Sequence, residues 1–264
     1  MRILFVGDIV GKPGRQAIDE MLRGVIEEYR IDFTIANGEN AAAGMGITPS
    51  IAVEFLDRGV DVLTSGNHIW AKKEIMPFLD TESRVLRPAN YPDGAPGKGA
   101  GIFVSKGSQK IGVVNLEGRV FMKHLECPFR VGEREVEKLR KETKTIIVDF
   151  HAEATSEKVA MGWFLNGRVS AVLGTHTHVQ TSDQRILDGG TAYISDVGMT
   201  GPTDSVIGID KQVALERLLS QLPRKFEVAS DEIELQGVVL DIDTESGQSG
   251  SIERIRIPYM DKRS

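Results

Sequence analysis

Short apolar runs alternate with helically spaced apolar positions over the first 80 residues of the chain. Residues 3–6, 33–36 and 60–63 are mostly apolar, a pattern typical of strands that are buried on both faces. Between the first two runs, apolar spacing predicts a helix with its buried face at Ile18, Met21, Leu22, Val25 and Ile26. Further helices are expected at about 49–58 and 72–79. Strand, loop and helix thus repeat three times, which predicts a layered α/β fold with parallel strands.

The middle of the chain breaks this order, which then returns. Residues 88–101 contain three prolines and four glycines and predict a loop, and 101–105 with 110–116 predict an antiparallel hairpin. Weak periodicity makes 117–130 an irregular excursion and a candidate lid. The remaining expected elements are helices at 133–141, 156–165 and 211–221, a loop at 196–208, and strands at 145–150, 169–173, 184–187, 191–195, 232–241 and 252–258. Because neither a repeat nor a Ser/Pro-rich linker interrupts the chain, residues 1–264 are expected to form one domain.

Composition excludes several broad classes of protein. The 264 residues include 41% apolar and 27% charged positions, which excludes wholesale disorder. There are 32 Lys and Arg against 38 Asp and Glu, a net charge of −6. This mild acidity argues against a nucleic-acid coat and against polybasic membrane binding. It is compatible with a small phosphorylated ligand that is held through a metal ion.

Cysteine usage and hydropathy bear on the compartment. Cys127 is the single cysteine, so an intramolecular disulfide and a thiolate zinc cluster are both excluded. The apolar runs are far shorter than the roughly 18–20 residues that span a bilayer. The N-terminal apolar stretch meets a charge at Asp8, too early for a secretory h-region of about 7–15 residues. These features predict a cytoplasmic protein.

Polar and ionisable side chains follow five of the predicted strands directly. Because ligands gather at the carboxyl ends of parallel strands, we expect these side chains to share one layer. They are Asp8, Glu39, Asn40, Asn67, His68, His151, His176 and His178. Carboxylate, amide and imidazole groups without a thiolate suit a pair of hard-to-borderline divalent or trivalent ions. Two such ions about 3.5–4 Å apart can clamp an in-line phosphoryl displacement.

The strongest single signal is the Gly-Thr-His-Thr-His run that ends the strand at 169–173. In an extended segment, residues two apart point the same way, so His176 and His178 can converge on one site, for which a metal site is the preferred interpretation. Each other strand end has an ordinary structural alternative when it is taken alone: a turn cap, a solvated loop or a hydrogen-bonded histidine. A phosphate loop at 7–13 is rejected because its glycines are too close together and Pro13 stands where Ser or Thr should hold magnesium.

The order of these motifs resembles the calcineurin-like metallophosphoesterases. Gly-Asp, Glu-Asn, Gly-Asn-His, a strand-end His and Gly-Thr-His-Thr-His follow one another over 7–178. The residues at 5–15, 36–42, 66–70 and 196–202 are similar to the YmdB-type bacterial branch of that superfamily, and the resemblance covers essentially the whole chain. It implies an αββα sandwich, in which helices flank the β-sheets and the site lies at strand ends.

Two positions depart from the usual superfamily pattern. The first motif usually reads Asp-x-His, but Val10 stands in the third place. The second motif usually carries Asp, but here it has Glu39. In the YmdB-type branch, the resemblance implies, Asn40 takes the place of the missing histidine and supplies an oxygen ligand.

The resemblance also implies a catalytic arrangement. Asp8, Glu39, Asn40 and His178 hold one ion; Glu39, Asn67, His151 and His176 hold the other. A hydroxide between the ions attacks phosphorus, and His68 protonates the leaving alkoxide. The metals known in this family are iron and manganese, alone or as a mixed pair. The implied activity is phosphodiester hydrolysis of cyclic nucleotides, with 2′,3′-cyclic nucleotides favoured over monoesters.

Other assignments stay open at this stage. The same site fits a phosphomonoesterase or nucleotidase, and a non-catalytic regulator that binds a phosphorylated ligand is a third alternative. His124 lies in the excursion with Arg119, Lys123 and Arg130, where a solvated loop is the preferred interpretation over a contact with substrate. Cys127 is expected to be structural. The expected partner is a small cyclic nucleotide, with no membrane and no stable nucleic-acid coat; whether the chain forms a homo-oligomer is left open.

Overall fold

The computed structural model describes residues 1–260. The helices are α1 (Gly11–Glu28), α2 (Pro49–Asp57), α3 (Ile75–Leu79), α4 (Pro128–Leu139), α5 (Thr155–Leu165) and α6 (Lys211–Ser220), with one 3₁₀ turn at Ile69–Ala71. The strands are β1 (Arg2–Val6), β2 (Asp8–Ile9), β3 (Phe33–Asn37), β4 (Val62–Thr64), β5 (Ala100–Val104), β6 (Lys110–Glu117), β7 (Ile146–His151), β8 (Ala171–Thr175), β9 (Arg185–Ile186), β10 (Ala192–Ile194), β11 (Met199–Pro202), β12 (Ile233–Ile242) and β13 (Ser249–Pro258).

The strands form two sheets. The first has the order β2-β11-β12-β1-β3-β4, with β13 paired to β12, and the second has the order β5-β6-β7-β8-β10-β9. Strands β1, β3 and β4 are mutually parallel, as are β6, β7, β8 and β10. The long antiparallel hairpin of β12 and β13 closes the first sheet beside β1.

Alternation along each strand explains how the layers pack. In β1, Ile3 and Phe5 join a core that they share with Ile147 and Leu173 of the second sheet. Because successive strand residues point to opposite faces, Leu4 and its neighbours pack instead against the helices of the first sheet. A third cluster packs α4 and α5 on the outer face of the second sheet. The layers therefore run helix, sheet, sheet, helix, and the predicted αββα architecture is confirmed.

Several predicted elements differ from the observed ones. Predicted strands 33–36 and 145–150 match β3 and β7 closely, whereas the helix expected over 72–79 is reduced to α3. Strand β11 lies within 196–208, where a loop was expected, and it pairs in parallel with the two-residue strand β2, which was not predicted. They are too short to show the alternating pattern that sequence analysis depends on.

The irregular excursion is shorter than expected. Its first residue, Glu117, ends β6, and Pro128 begins α4, so the stretch without helix or strand is 118–127. Proline is favoured in the first turn of a helix because its fixed φ fits and its missing N–H has no intrahelical partner to lose. Pro128 and Val131 are buried, which anchors that helix against the sheet. Across residues 1–260, we find no helix that is long and apolar enough to cross a membrane.

Candidate metal centre

Glu39 lies at the middle of the predicted site. It follows β3, its side chain is fully buried, and its Oε1 atom is 3.1 Å from His151 Nε2 and 3.3 Å from His68 Nδ1. The same oxygen accepts a hydrogen bond from Asn40 Nδ2 at 3.1 Å. Its other oxygen, Oε2, accepts the backbone N–H of His68 at 3.1 Å. One carboxylate thus contacts residues that follow strands of both sheets.

The second sheet contributes two histidines beside Glu39. His151 Nε2 is 3.0 Å from His176 Nδ1 and 3.1 Å from Asn67 Oδ1. Glu39, His151 and His176 place one ligand atom each within 4.8 Å of one another. This set of nitrogen and oxygen donors, without sulfur, is the kind that iron, manganese and zinc accept.

Hydrogen bonds on the outer side of each histidine ring decide which ring nitrogen carries the proton and which has a free lone pair. His151 Nδ1 is 2.8 Å from Thr175 Oγ1, whose own proton goes to Asp149 Oδ1 at 2.7 Å. His176 Nε2 is 3.1 Å from Glu153 Oε2, and His178 Nδ1 is 2.8 Å from the carbonyl oxygen of Ile207. Each of these acceptors requires an N–H. The lone pairs that remain, on His151 Nε2, His176 Nδ1 and His178 Nε2, are available to metal ions.

Asp8, Asn40 and His178 form the other side of the cluster. Asp8 Oδ2 accepts the backbone N–H of His176 at 3.0 Å, whereas Asp8 Oδ1 is buried and has no hydrogen-bond partner among the described residues. Asn40 Nδ2 is 3.1 Å from His178 Nε2. A half-turn of the Asn40 amide exchanges Nδ2 for Oδ1 and presents an oxygen at this point. The unpartnered carboxylate oxygen fits a cation, since a buried charge otherwise lacks compensation.

His176 and His178 converge through a turn and not through strand alternation. Strand β8 ends at Thr175, and the φ angles of His176 and His178 are +101° and +64°. An extended segment was predicted at 176–178, and that prediction is wrong because both histidines have positive φ. Positive φ at non-glycine residues is strained and is common at functional sites. Here Asp196 Oδ2 holds the turn, because it accepts both the N–H and the hydroxyl of Thr177, at 3.0 and 2.8 Å.

Burial and neighbouring charges shift the pKa values of the cluster in opposite directions. Burial raises the pKa of Asp8. Burial would also raise the pKa of Glu39, but His151 and His68 outweigh it and hold that pKa well below its ordinary value. Burial would lower the pKa of His151, yet Glu39, Asp8 and Asp149 raise it to about 9. Burial and the charge of His151 lower the pKa of His176 to about 3. Without an ion, a proton on His151 thus supplies the positive charge that the carboxylates require.

Gly66 makes room for this arrangement. A Cβ atom on Gly66 would overlap the His151 ring at Cδ2 and Nε2 and would also overlap Glu39 Oε2. Because the backbone of the 65–68 loop lies directly against the His151 ring and the Glu39 carboxylate, only glycine fits here. The sequence motif Gly-Asn-His therefore has a steric reason for its first residue as well as chemical reasons for the other two.

His68 lies where the cluster opens to solvent. Its side chain is 28% exposed, and Nδ1 is 2.8 Å from Asn40 Oδ1. The other ring nitrogen, Nε2, is then the one that can transfer a proton to a bound molecule. His68 lines a cavity of about 700 Å³ together with Glu39, Asn40, His176 and His178. This volume is within the usual range of small-molecule sites.

The structure brings all eight predicted site residues together, and it adds others that sequence reasoning missed. Glu153, Thr175, Asp149 and Ile207 orient the histidine rings, as described above. Asp149 could have been found in the sequence, because an aspartate inside an otherwise apolar buried strand needs a polar partner. In the structure, Asn37 Nδ2 donates a hydrogen bond to Asp149 Oδ2 at 3.0 Å. Ile207 contacts His178 through its backbone carbonyl oxygen. Every residue has this group, so the amino-acid type at 207 could not have predicted the contact. His124 is exposed on the segment 118–127, and Cys127 is half-buried.

Comparisons with known proteins agree with this geometry. The family profile described as YmdB-like protein matches residues 4–255. The chain belongs to the YmdB-like family. This YmdB-like chain is 49% identical over 257 residues to a 2′,3′-cyclic-nucleotide 2′-phosphodiesterase of Bacillus subtilis, with 97% of each chain covered. The resemblance stated from the motifs is confirmed.

Two solved structures share the fold of this YmdB-like chain. A hypothetical protein from Thermus thermophilus is 40% identical, with a TM-score of 0.91 and coverage of 98% of this chain and 99% of that one. A phosphatase from Mycoplasma pneumoniae is 34% identical, also with a TM-score of 0.91, and coverage is 100% of this chain and 95% of that one. At these values the whole described fold is shared.

Proposed function

We propose that this YmdB-like protein is a dinuclear metal-dependent phosphodiesterase that hydrolyses 2′,3′-cyclic nucleotides. The observation that carries the proposal is the meeting of four acceptor atoms, from Glu39, Asn67, His151 and His176, where hydrogen bonding fixes both imidazole lone pairs toward one point. The activity for which the Bacillus subtilis relative is named supports the choice of substrate.

We assign the ligands in two sets. One ion would be held by Asp8, Glu39, Asn40 and His178, and the other by Glu39, Asn67, His151 and His176, so that Glu39 belongs to both sets. The unpartnered Asp8 Oδ1 and the 3.0 Å separation of His151 Nε2 and His176 Nδ1 support this assignment. Iron and manganese are the metals that we propose, since the family resemblance implies them and the histidine nitrogens and carboxylate oxygens suit both.

The residues of the chain divide the remaining work. When bound, the ions act as Lewis acids toward phosphoryl oxygens and lower the pKa of coordinated water toward neutrality. Water adds to phosphorus, the bond from phosphorus to the ribose 2′ oxygen breaks, and the product is the nucleoside 3′-phosphate. His68 Nε2 gives its proton to the departing 2′ oxygen. With its oxygen turned toward the proposed ion, the Asn40 amide presents Nδ2 in place of Oδ1 to His68 Nδ1, 2.8 Å away, and so orients the ring for that transfer.

Two alternatives share the same site. A phosphomonoesterase or nucleotidase would use the same ions on nucleoside monophosphates, and a non-catalytic regulator would bind a phosphorylated ligand without turnover. The presence of His68 beside a cavity favours an enzyme, because a leaving alkoxide needs a proton whereas a bound ligand does not. Cytoplasmic location, one domain and a lid at about 117–130 remain predictions, and homo-oligomer formation remains open.

Elemental analysis of the purified protein, followed by an activity panel, tests the proposal. We expect close to two metal ions per chain, with iron and manganese predominating, and faster hydrolysis of adenosine 2′,3′-cyclic phosphate than of adenosine 2′- or 3′-monophosphate. Faster hydrolysis of the monoesters would favour the nucleotidase. Tight binding of the cyclic diester by metal-loaded protein, without turnover, would favour the regulator.

A further inference from the structure

The cavity at the metal centre has an apolar wall in addition to its ligand side chains. Met45, Ile207, Phe226 and Val228 line the same cavity of about 700 Å³ as Glu39, His68 and the histidines of the turn after β8. A cyclic ribose phosphate that reaches the metal ligands would fill only part of this volume. The apolar wall therefore has room for a further group of the substrate.

The wall is fixed to the loops that carry the metal ligands. Val228 forms a β-bridge with Ile209, and the flanking hydrogen bonds are Asp210 N to Glu227 O at 2.9 Å and Ala229 N to Gly208 O at 3.0 Å. A Cβ on Gly11 or Gly44 would lie 2.8 or 2.9 Å from the Val228 side chain. Val228 thus packs against the loops that follow Asp8 and Asn40, which sets its position relative to both ligands.

Phe226 presents an aromatic ring at this wall. The residue is 43% exposed, and the guanidinium of Arg217 lies 4.2 Å from the ring centroid. Arg217 lines a neighbouring groove of about 580 Å³ beside α6, whereas Phe226 lines both the groove and the active-site cavity. A guanidinium stacked on an aromatic face attracts the ring electrostatically. Arg217 therefore steadies the ring from the groove side.

We infer that Phe226, with Met45, Ile207 and Val228, forms the subsite for the nucleobase of the substrate. This inference rests on the proposed function and adds a specificity-determining residue to it. With the phosphate at the metal centre, the base is the flat and largely apolar part of the nucleotide that is left to bind. Stacking and apolar contact recognise the face of a ring and not its edges. All four bases are therefore accepted, and purines bind more tightly than pyrimidines because they cover more of the wall.

The test compares two cyclic diesters, with and without a base. The ratio of kcat/KM for adenosine 2′,3′-cyclic phosphate to kcat/KM for methyl ribofuranoside 2′,3′-cyclic phosphate measures the contribution of the base. We expect Phe226→Ala to lower this ratio about 10- to 100-fold, the loss typical of one base–aromatic stack. Phe226→Trp retains the ratio. Leu222→Ala is the matched control, because Leu222 is 63% exposed and lines only the neighbouring groove; it leaves the ratio unchanged.

An unchanged ratio in Phe226→Ala overturns the subsite. Failure of the proposed function has a different signature, namely a metal-loaded wild type that hydrolyses neither diester. Calorimetric binding of adenosine 3′-monophosphate then still decides the subsite. A Kd that is at least about 10-fold weaker in Phe226→Ala supports it, and an equal Kd overturns it.

Discussion

His151 Nε2 lies 3.0 Å from His176 Nδ1, and when both rings are neutral each nitrogen carries a lone pair toward the other. Thr175 and Glu153 contact the opposite ring nitrogens and so fix this arrangement. Two facing lone pairs repel unless a cation or a proton lies between them. This contact joins the ends of neighbouring strands β7 and β8, so the pairing of these strands places the donor atoms of the second ion that we propose.

A ligand substitution tests that position. We predict that His176→Ala lowers the metal content from about two ions toward one and lowers kcat/KM by roughly 100-fold or more, because one imidazole ligand is lost and the Lewis acid beside the substrate goes with it. Elemental analysis and steady-state kinetics measure the two effects. His124→Ala, on the exposed segment 118–127, is the matched control and retains both metal content and activity. Full metal content in His176→Ala contradicts the assignment.

Metal removal should destabilise the folded protein. Asp8 and Glu39 are both fully buried, and the ions that we propose beside them require the folded arrangement of these ligands. Binding at 100 times Kd adds about 2.7 kcal/mol per ion. Because a chain of this size loses roughly 2–4 °C in Tm per kcal/mol, we expect chelation of both ions to lower Tm by roughly 10–20 °C and re-addition of manganese to restore it. An equal Tm after elemental analysis has verified metal loss is evidence against buried ions at Asp8 and Glu39.

Gly66 offers a steric test of the same geometry. In Gly66→Ala the new methyl group overlaps His151 and Glu39, so we predict that the ligands are displaced and that both metal content and turnover fall by at least roughly 10-fold. Gly24→Ala is the matched control. Gly24 lies on the exposed face of α1, and a methyl group there would meet no atom within 4 Å, so alanine should raise stability by about 0.5–1 kcal/mol. Normal metal content in Gly66→Ala would contradict the prediction, because it would mean that the 65–68 loop moves to accept the methyl group without displacing His151 and Glu39.

Asp61 gives a pH-dependent prediction away from the metal centre. It accepts the backbone N–H of Thr34 at 2.7 Å, and burial raises its pKa above the ordinary value despite that bond. Because the pKa of Asp61 is higher in the folded than in the unfolded chain, ionisation of Asp61 lowers the free energy of unfolding. This loss of stability is absent below the ordinary pKa of about 3.9 and is complete above the folded pKa. Asp61→Asn should therefore raise Tm at neutral pH, and the gain should vanish in acid. A gain that grows as pH falls rules this out.

Much of the metal centre could be predicted because its ligands follow buried strands. The apolar runs of β1, β3, β4, β7 and β8 identify where each strand ends, and the parallel order places those ends in one layer. The positions of His176 and His178 were predicted, but their convergence depends on a strained turn that the Asp196 carboxylate holds. That contact joins residues 19 positions apart, and sequence spacing carries no record of it.

The features that the sequence analysis did not predict all depend on tertiary contacts. Strands β2 and β11 form because Asp8 and Met199 pair in parallel, and a two-residue strand has no periodicity of its own. Nothing in the sequence distinguishes Glu153 from other glutamates. In the structure it orients the His176 ring, because its carboxylate contacts His176 Nε2. The wall at 225–228 is positioned by its bridge to Ile209. Each of these features arises from pairing between segments that are distant along the chain.

The most direct measurement follows a cyclic diester to its product by phosphorus NMR, with wild type and His68→Ala loaded with equal amounts of metal. We predict that wild type converts adenosine 2′,3′-cyclic phosphate to adenosine 3′-phosphate, and that His68→Ala does so roughly 100- to 10,000-fold more slowly with unchanged metal content. Equal rates for the two proteins, or an untouched cyclic diester with fully loaded wild type, would contradict the central claim.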